Sequence, residues 1–420
     1  MEFFKRMGDT VARRWKACDY DERLFPEIAT EALAEYPPCA NVGLGDIVRW
    51  ATVSDGLPFQ IDIEAKFGDP PLTVYIGRGF RIEVLFWLSG TPAIHQHSFS
   101  GAFHVMQGSS IHSIWTFEPT ERLETRLLIG DVTFRDVEVL RRGDTRQILA
   151  GDEMYHATFH IDRPSISVVV RTTSEVDKFP QYSLLPPAIA HASQQEIPTL
   201  QRQIQLMKML IKSKNRTEHQ ELAKHLFATK DALTIYETVM ATHGLIEDEE
   251  EREDVLEIAR AKHPRLIEVL ERVLTRERAR QRLLHLHRSM TSPDLKYFVA
   301  LLLNVPDGIA MMELIERRYP MRSPVDAVMG WARELSQQGA LGLELPEPWL
   351  PVLESMLPIS SVEGAISTST SESGWESDVR EIARAIRGCW LLGSLFRREL
   401  RPHTLHRIPR LRASLLLRRH

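Results

Sequence analysis

The feature that most constrains this chain is a change of period partway along it. From about residue 57 to 175 the apolar residues fall in short runs: Leu72-Thr-Val-Tyr-Ile76, Arg81-Ile-Glu-Val-Leu-Phe-Trp-Leu88 and Ser165-Ile-Ser-Val-Val-Val-Arg171. These runs are rich in β-branched and aromatic residues and are punctuated by Gly, Pro and Asp, the pattern of strands joined by turns. Several such strands at close spacing indicate a sandwich or barrel. Beyond about 190 the spacing becomes helical. Leu200, Ile204, Leu206, Met207 and Leu210 form one stripe, and Leu266, Ile267, Leu270, Val273 and Leu274 form another. Pro264, Pro293 and Pro324 stand where helices can begin, because the first helical position needs no amide donor. The expected fold is mainly a β barrel followed by an α-helical domain.

At 420 residues the chain exceeds what one small core organises. Five regions are expected: an N-terminal helical and loop extension (1–55), the barrel (56–180), a helical domain (190–358), a Ser/Thr-rich linker (359–376), and a C-terminal helix with a basic tail (377–420). Within the helical domain the pattern predicts helices at 199–212, 219–242, 264–286, 293–304, 307–318 and 324–338. The segment Leu400 to His420 has arginines and no acids, which reads as a solvated end.

Composition narrows the function classes. With a net charge of −5, nothing about the whole molecule points to nucleic acid. No apolar run reaches transmembrane length, and the opening residues lack the apolar core of a signal peptide. Cys18, Cys39 and Cys389 are far apart and form no CxxC pair, which excludes a thiolate zinc cluster within the chain and suits a reducing compartment. A cytoplasmic protein with no membrane partner is expected.

The chemistry-bearing stretch is Gly90-Thr-Pro-Ala-Ile-His95-Gln-His97-Ser-Phe-Ser-Gly-Ala-Phe-His104-Val-Met-Gln-Gly108. On a strand, side chains at i and i+2 share a face, so His95 and His97 can reach one metal ion together. Burying two imidazoles at a barrel edge is costly without a partner, and a metal supplies one. A second segment, Gly151-Asp-Glu-Met-Tyr-His156-Ala-Thr-Phe-His160-Ile-Asp-Arg-Pro164, offers a third ligand, His156, from a neighbouring strand. His285 and His287 also form an HxH, but in a helical stretch where i and i+2 diverge, so they read as surface or packing residues. His112 and His160 taken alone read as surface or loop residues.

Segment 80–119, with its apolar strand ending near Trp87, then IHQH, AFHVMQG and SIWTFEP, resembles the first metal motif of the cupin superfamily. Within it the chain is most similar to the cysteine dioxygenase-type branch, and Tyr155-His156 with the Pro164-initiated strand resembles that branch's later motif. The resemblance covers about 70–175. It implies a three-histidine Fe(II) site with open positions for a substrate and dioxygen. The acidic ligand of other cupins would fall near Gly101. The cysteine and tyrosine that many thiol dioxygenases cross-link correspond to Ala102 and Arg171, and an accompanying histidine to Val169, so oxidation of cysteine itself is not implied. The branch's carboxylate-binding arginine corresponds to Arg78 or Arg81.

Read from residue types alone, three imidazoles suit Fe, Zn, Ni or Cu and leave positions open, as in catalysis rather than in a closed structural site. His104, His112 and His160 are candidates for proton transfer or ligand support, and Trp87 and Phe103 for barrel core. The leading expectation is a non-haem iron oxygenase acting on a small molecule or a peptide residue. The competing one is a non-catalytic protein that senses a metal or ligand, with the helices carrying the output. The helices are expected to cover the barrel or to form a homodimer. A protein hydroxylase with an HxD motif ranks last, because position 97 is His.

Overall fold

The structure is a computed structural model that describes residues 1–53, 56–61, 68–88, 93–173, 180–192, 197–229 and 231–337. The expected linker, C-terminal helix and basic tail lie outside the described residues. The chain divides into two compact units, Met1–Arg278 and Ala279–His420.

The first unit opens with four helices: α1 (Glu2–Ala17), α2 (Phe25–Glu35), α3 (Pro38–Asn41) and α4 (Leu44–Val53). Eleven strands follow: β1 (Pro71–Gly77), β2 (Phe80–Trp87), β3 (Ile94–His95), β4 (Gly101–Gln107), β5 (Ser110–Glu124), β6 (Leu127–Leu140), β7 (Thr145–Ile148), β8 (Tyr155–His160), β9 (Ser165–Thr172), β10 (Ser183–Leu185) and β11 (Ile189–His191). They form two sheets. One has five strands in the order β1-β2-β9-β4-β7. The other has six, β10-β11-β6-β5-β8-β3, and returns on itself because β3 also pairs with β10.

Alternation along the strands decides which side chain faces where. On the five-stranded sheet, Ile82, Val84, Ala102, Ile166, Val168 and Val170 face outward onto the N-terminal helices. There they meet Phe4, Met7, Val11 and Trp15 of α1 and Phe25, Ala29 and Leu33 of α2. Each large apolar side chain fully buried in this way contributes roughly 1.5–3 kcal/mol. The intervening residues turn inward: Leu85, Phe103, Val105 and Val169 pack with Leu140 of β6 and Ile148 of β7. The space between the sheets is therefore lined by the second strand phase, and His95, His97 and His156 lie on that side.

At the other end, five helices cover Leu127, Ile129 and Ile189 of the six-stranded sheet. They are α5 (Pro198–Lys212), α6 (Arg216–Thr229), α7 (Ala232–Thr242), α8 (Glu249–Arg260) and α9 (Pro264–Ser289), and the division between the two units falls within α9. The single helix predicted over 219–242 is two helices. Asp231 accepts a hydrogen bond from the Thr234 amide at 2.8 Å and caps a new start, because its side chain satisfies an amide that the first turn leaves unpaired. Asp248 caps α8 in the same way, and Glu249, Glu250 and Glu251 occupy the first turn, where carboxylates oppose the helix dipole. On α9, His285 is exposed and His287 is buried, as two residues about 200° apart on a helix must be.

The described part of the second unit holds α10 (Pro293–Asn304), α11 (Gly308–Arg318) and α12 (Pro324–Gln337). Tyr297, Phe298, Tyr319 and Trp331 form its aromatic centre, and Tyr319 donates to Asp294 at 2.7 Å. Among the described residues no helix is long and apolar enough to cross a membrane.

Candidate metal centre

His95 on β3 and His156 on β8 are directly opposed across an antiparallel pairing. Opposed residues share a face with Cβ atoms about 5 Å apart, so the two rings must lie side by side. His97, two residues further on, returns to that face, and its backbone bridges Ala150. The three ring centroids form a nearly equilateral triangle, 4.6, 4.9 and 5.0 Å on a side. Among the described residues these three form the group able to hold an ion, each offering one nitrogen, all within 4.8 Å of one another.

All three are buried, and burial drives His97 and His156 well below the ordinary imidazole range and His95 below it. They are therefore neutral near pH 7, and each has one lone-pair nitrogen. Their partners fix which one. His95 Nδ1 lies 2.8 Å from the Ala93 carbonyl, which can only accept, so Nδ1 carries the proton and Nε2 the lone pair. His156 Nδ1 lies 2.9 Å from His112 Nε2, and His112 Nδ1 lies 3.0 Å from Glu138 Oε1. With His112 as a neutral ring, the carboxylate accepts from it, it accepts from His156, and His156 Nε2 is left as a lone pair. That nitrogen lies 2.8 Å from His97 Nε2. Two lone pairs cannot face each other at this distance without a cation between them, either a proton on His97 or a metal ion. His97 Nδ1 has no hydrogen-bond partner among the described residues, so nothing there fixes its tautomer. Three convergent neutral imidazoles with two tautomers already set are a fitting donor set for a first-row transition ion.

Gly101 explains why position 101 offers no ligand. A Cβ at this position would lie 2.1 Å from the Val170 carbonyl oxygen, so the close approach of β4 and β9 leaves no room for any side chain.

The other candidates separate clearly. His160 is on the same face of β8 as His156, buried, stacked on Trp87 at 4.5 Å and 2.9 Å from Ser110 Oγ through Nδ1. Its surface or loop reading is corrected, and so is that of His112, which is 2% exposed and bonded to a group member. His104 is buried but alternates to the opposite face of β4 from Phe103, and it bonds Thr145 at 2.9 Å rather than any of the three histidines. Arg78 is exposed in the β1–β2 turn, 4.6 Å over the Tyr20 ring. Arg81 faces inward from β2 and pairs with Glu83 at 3.0 Å. Arg171, opposite Arg81 on β9, lies 3.7 Å from Glu83 and 3.3 Å above the Phe99 ring, which packs 4.4 Å from His97. Arg171 and Glu138 are the interior and supporting residues that sequence reading missed. Tyr155 packs on the other face of β8 with Trp115 and Leu184.

No protein-family description matches the chain, and no curated protein matches it. Among solved structures it is similar to the hydroquinone 1,2-dioxygenase of Sphingomonas sp. TTNP3, determined with 4-hydroxybenzoate bound. That similarity has 12% identity and a TM-score of 0.21 over 29% of this chain and 85% of the other, too loose to carry an argument about fold or activity.

Proposed function

We propose that the β region is a cupin-type domain and that the chain is a metal-dependent dioxygenase holding Fe(II) through His95, His97 and His156. The observation that carries this reading is the convergence of neutral imidazole nitrogens, two with tautomers set by their partners, within 4.8 Å of one another in a buried interior. Iron(II) bound there would supply open coordination positions for dioxygen and substrate, the usual consequence of three protein ligands.

The chain's own residues prepare the rest. Phe99 and Phe103 pack against the histidine group, an apolar lining in which polar interactions are stronger than in water. Arg81 and Arg171 flank Glu83 on the interior wall, a cationic surface suited to orienting a small acidic substrate. Of the two arginines that the sequence offered for this role, Arg81 has the inward placement. His160, further along the face that carries His156, is proposed to hold or pass a proton at that end of the interior. His104 supports β4 from outside.

Metal analysis of protein purified without added metal, followed by oxygen uptake with a panel of thiols, phenols and small acids, tests this reading. Stoichiometric bound iron and substrate-dependent uptake that His97→Ala abolishes are the expected results. Tight ligand binding with no turnover on any of them would favour a sensing role. A chain that carries no metal, and whose stability is unchanged in His95→Ala, would refute the site.

A further inference from the structure

The hydrogen bonds behind His156 continue beyond His112, across β6 of the six-stranded sheet, to β7 at the edge of the five-stranded sheet. Arg146 on β7 grips Glu138 through two nitrogens, one at 2.8 Å. Glu138 on β6 stands directly opposite His112 on β5, and His112 is opposite Thr158, two residues along β8 from His156. Four strands therefore contribute one residue each to a single file: Arg146, Glu138, His112 and His156. The inner members are buried, with His112 at 2% and His156 at 4% exposure, while the side chains of Glu138 and Arg146 reach solvent at 34% and 38%.

The file has a direction. A guanidinium only donates and a carboxylate only accepts, so its outer end is polarised by charge. A neutral His112 then donates through Nδ1 to the carboxylate and accepts through Nε2. His156 must then donate through Nδ1, and its Nε2 lone pair turns toward His95 and His97. Hydrogen bonds from His112 and Arg146 hold the Glu138 carboxyl down to about 2, so it remains an acceptor at any pH at which the protein works. His97 has no such support, which makes the set asymmetric.

We propose that Glu138 and His112, held by Arg146, are positioning residues that lock His156 in the tautomer that presents Nε2 to a metal ion. The proposal rests on the metal-site reading above and adds the device that sets one ligand's polarity from outside the site. Partners of this kind behind a ligand histidine typically account for about 10–100-fold in metal affinity.

Glu138→Leu is the sharpest perturbation, because it removes the acceptor: Glu138 Oε1 takes both the His112 Nδ1 proton and Arg146 Nε. Nothing then holds the proton on His112 Nδ1, so His112 can carry it on Nε2 and donate to His156 Nδ1. His156 with its proton on Nε2, pointing the wrong way, becomes accessible. The full chain, labelled with ¹⁵N-histidine and free of metal, reports each tautomer by two-bond nitrogen–proton correlations. Cobalt(II) added to the same sample reports affinity through its visible absorbance.

The wild type is expected to show His156 as the Nδ1–H tautomer and to bind cobalt. E138L should populate the Nε2–H tautomer of His156 and bind cobalt roughly 10–100-fold more weakly. E138D, which keeps an acceptor-only group, should retain the wild-type tautomer. Should E138L fail to fold, His112→Phe, which removes the acceptor behind His156, gives the same readouts. Unchanged tautomer and unchanged affinity in E138L and H112F would overturn the relay while leaving the metal site standing. Absence of cobalt binding by the wild type would overturn the site itself, and the relay's role with it.

Discussion

Replacing Gly101 by alanine tests the close approach that leaves position 101 without room for a side chain. The added Cβ would lie 2.1 Å from the Val170 carbonyl oxygen and 2.9 Å from the Arg171 Cα, both backbone atoms that cannot rotate aside. A carbon and a carbonyl oxygen need somewhat more than 3 Å, so β4 and β9 must separate by about 1 Å where Gly101 pairs with Arg171. Overpacking of a tight interior costs about 1–3 kcal/mol, and strain on backbone places Gly101→Ala at the upper end of that range. For a domain of this size, 3 kcal/mol corresponds to a fall in Tm of roughly 6–12 °C. The separation also moves Arg171 and the segment from His97 to Ser100, whose amide bonds Thr172 at 3.0 Å, so cobalt affinity should fall as well. Thermal melts followed by circular dichroism give the first number and cobalt titration the second. Gly45→Ala is the control: no atom lies within 4 Å of its added Cβ, and in a helix the change should be neutral or stabilising by up to about 1 kcal/mol. If G101A melts with the wild type and binds cobalt equally well, the close-approach argument is wrong.

Two further predictions follow from burial. Burial pushes His160 down to about 3, so the unfolded chain takes up a proton near pH 6.5 that the folded chain refuses. The stability associated with His160 is therefore constant above about pH 6.5 and falls, by at most about 1.4 kcal/mol per pH unit, as pH drops toward 3. Urea unfolding of metal-free wild type and H160Q at several pH values should show a shallower slope in the variant, and equal slopes would contradict the assignment. In the helical cover, Phe227→Ala removes a fully buried ring from the core against the six-stranded sheet and should cost about 3–5 kcal/mol in urea midpoint analysis. A loss below 1 kcal/mol would mean that this helix is not packed as described.

Much of the site was readable from residue order because its key contacts are short-range on a strand. The i, i+2 rule places His95 and His97 on one face whatever the rest of the fold does. His156 required a pairing between β3 and β8 that spacing alone does not specify, and resemblance supplied it. His112 and Glu138 were illegible for a physical reason. They meet only through the long β5–β6 ribbon, whose register shifts three times, between Ile114 and Trp115, between Pro119 and Glu121 and between Arg122 and Glu124. The turn between these strands lacks the Gly or Asn that normally announces a hairpin. The break between α6 and α7 was legible in Asp231, a capping residue, but was hidden by apolar spacing that continues through it. The N-terminal helices were visible as helical signals, yet only the outward phase of the five-stranded sheet shows what they cover.

The central claim is that His95, His97 and His156 hold one metal ion. Crystals of the full chain, purified without added metal and measured on both sides of the iron absorption edge, address it directly. The account predicts one anomalous peak about 2.0–2.1 Å from one nitrogen of each of the three rings, Nε2 for His95 and His156. A map with no peak between these histidines, or with the ion held by other residues, would contradict it.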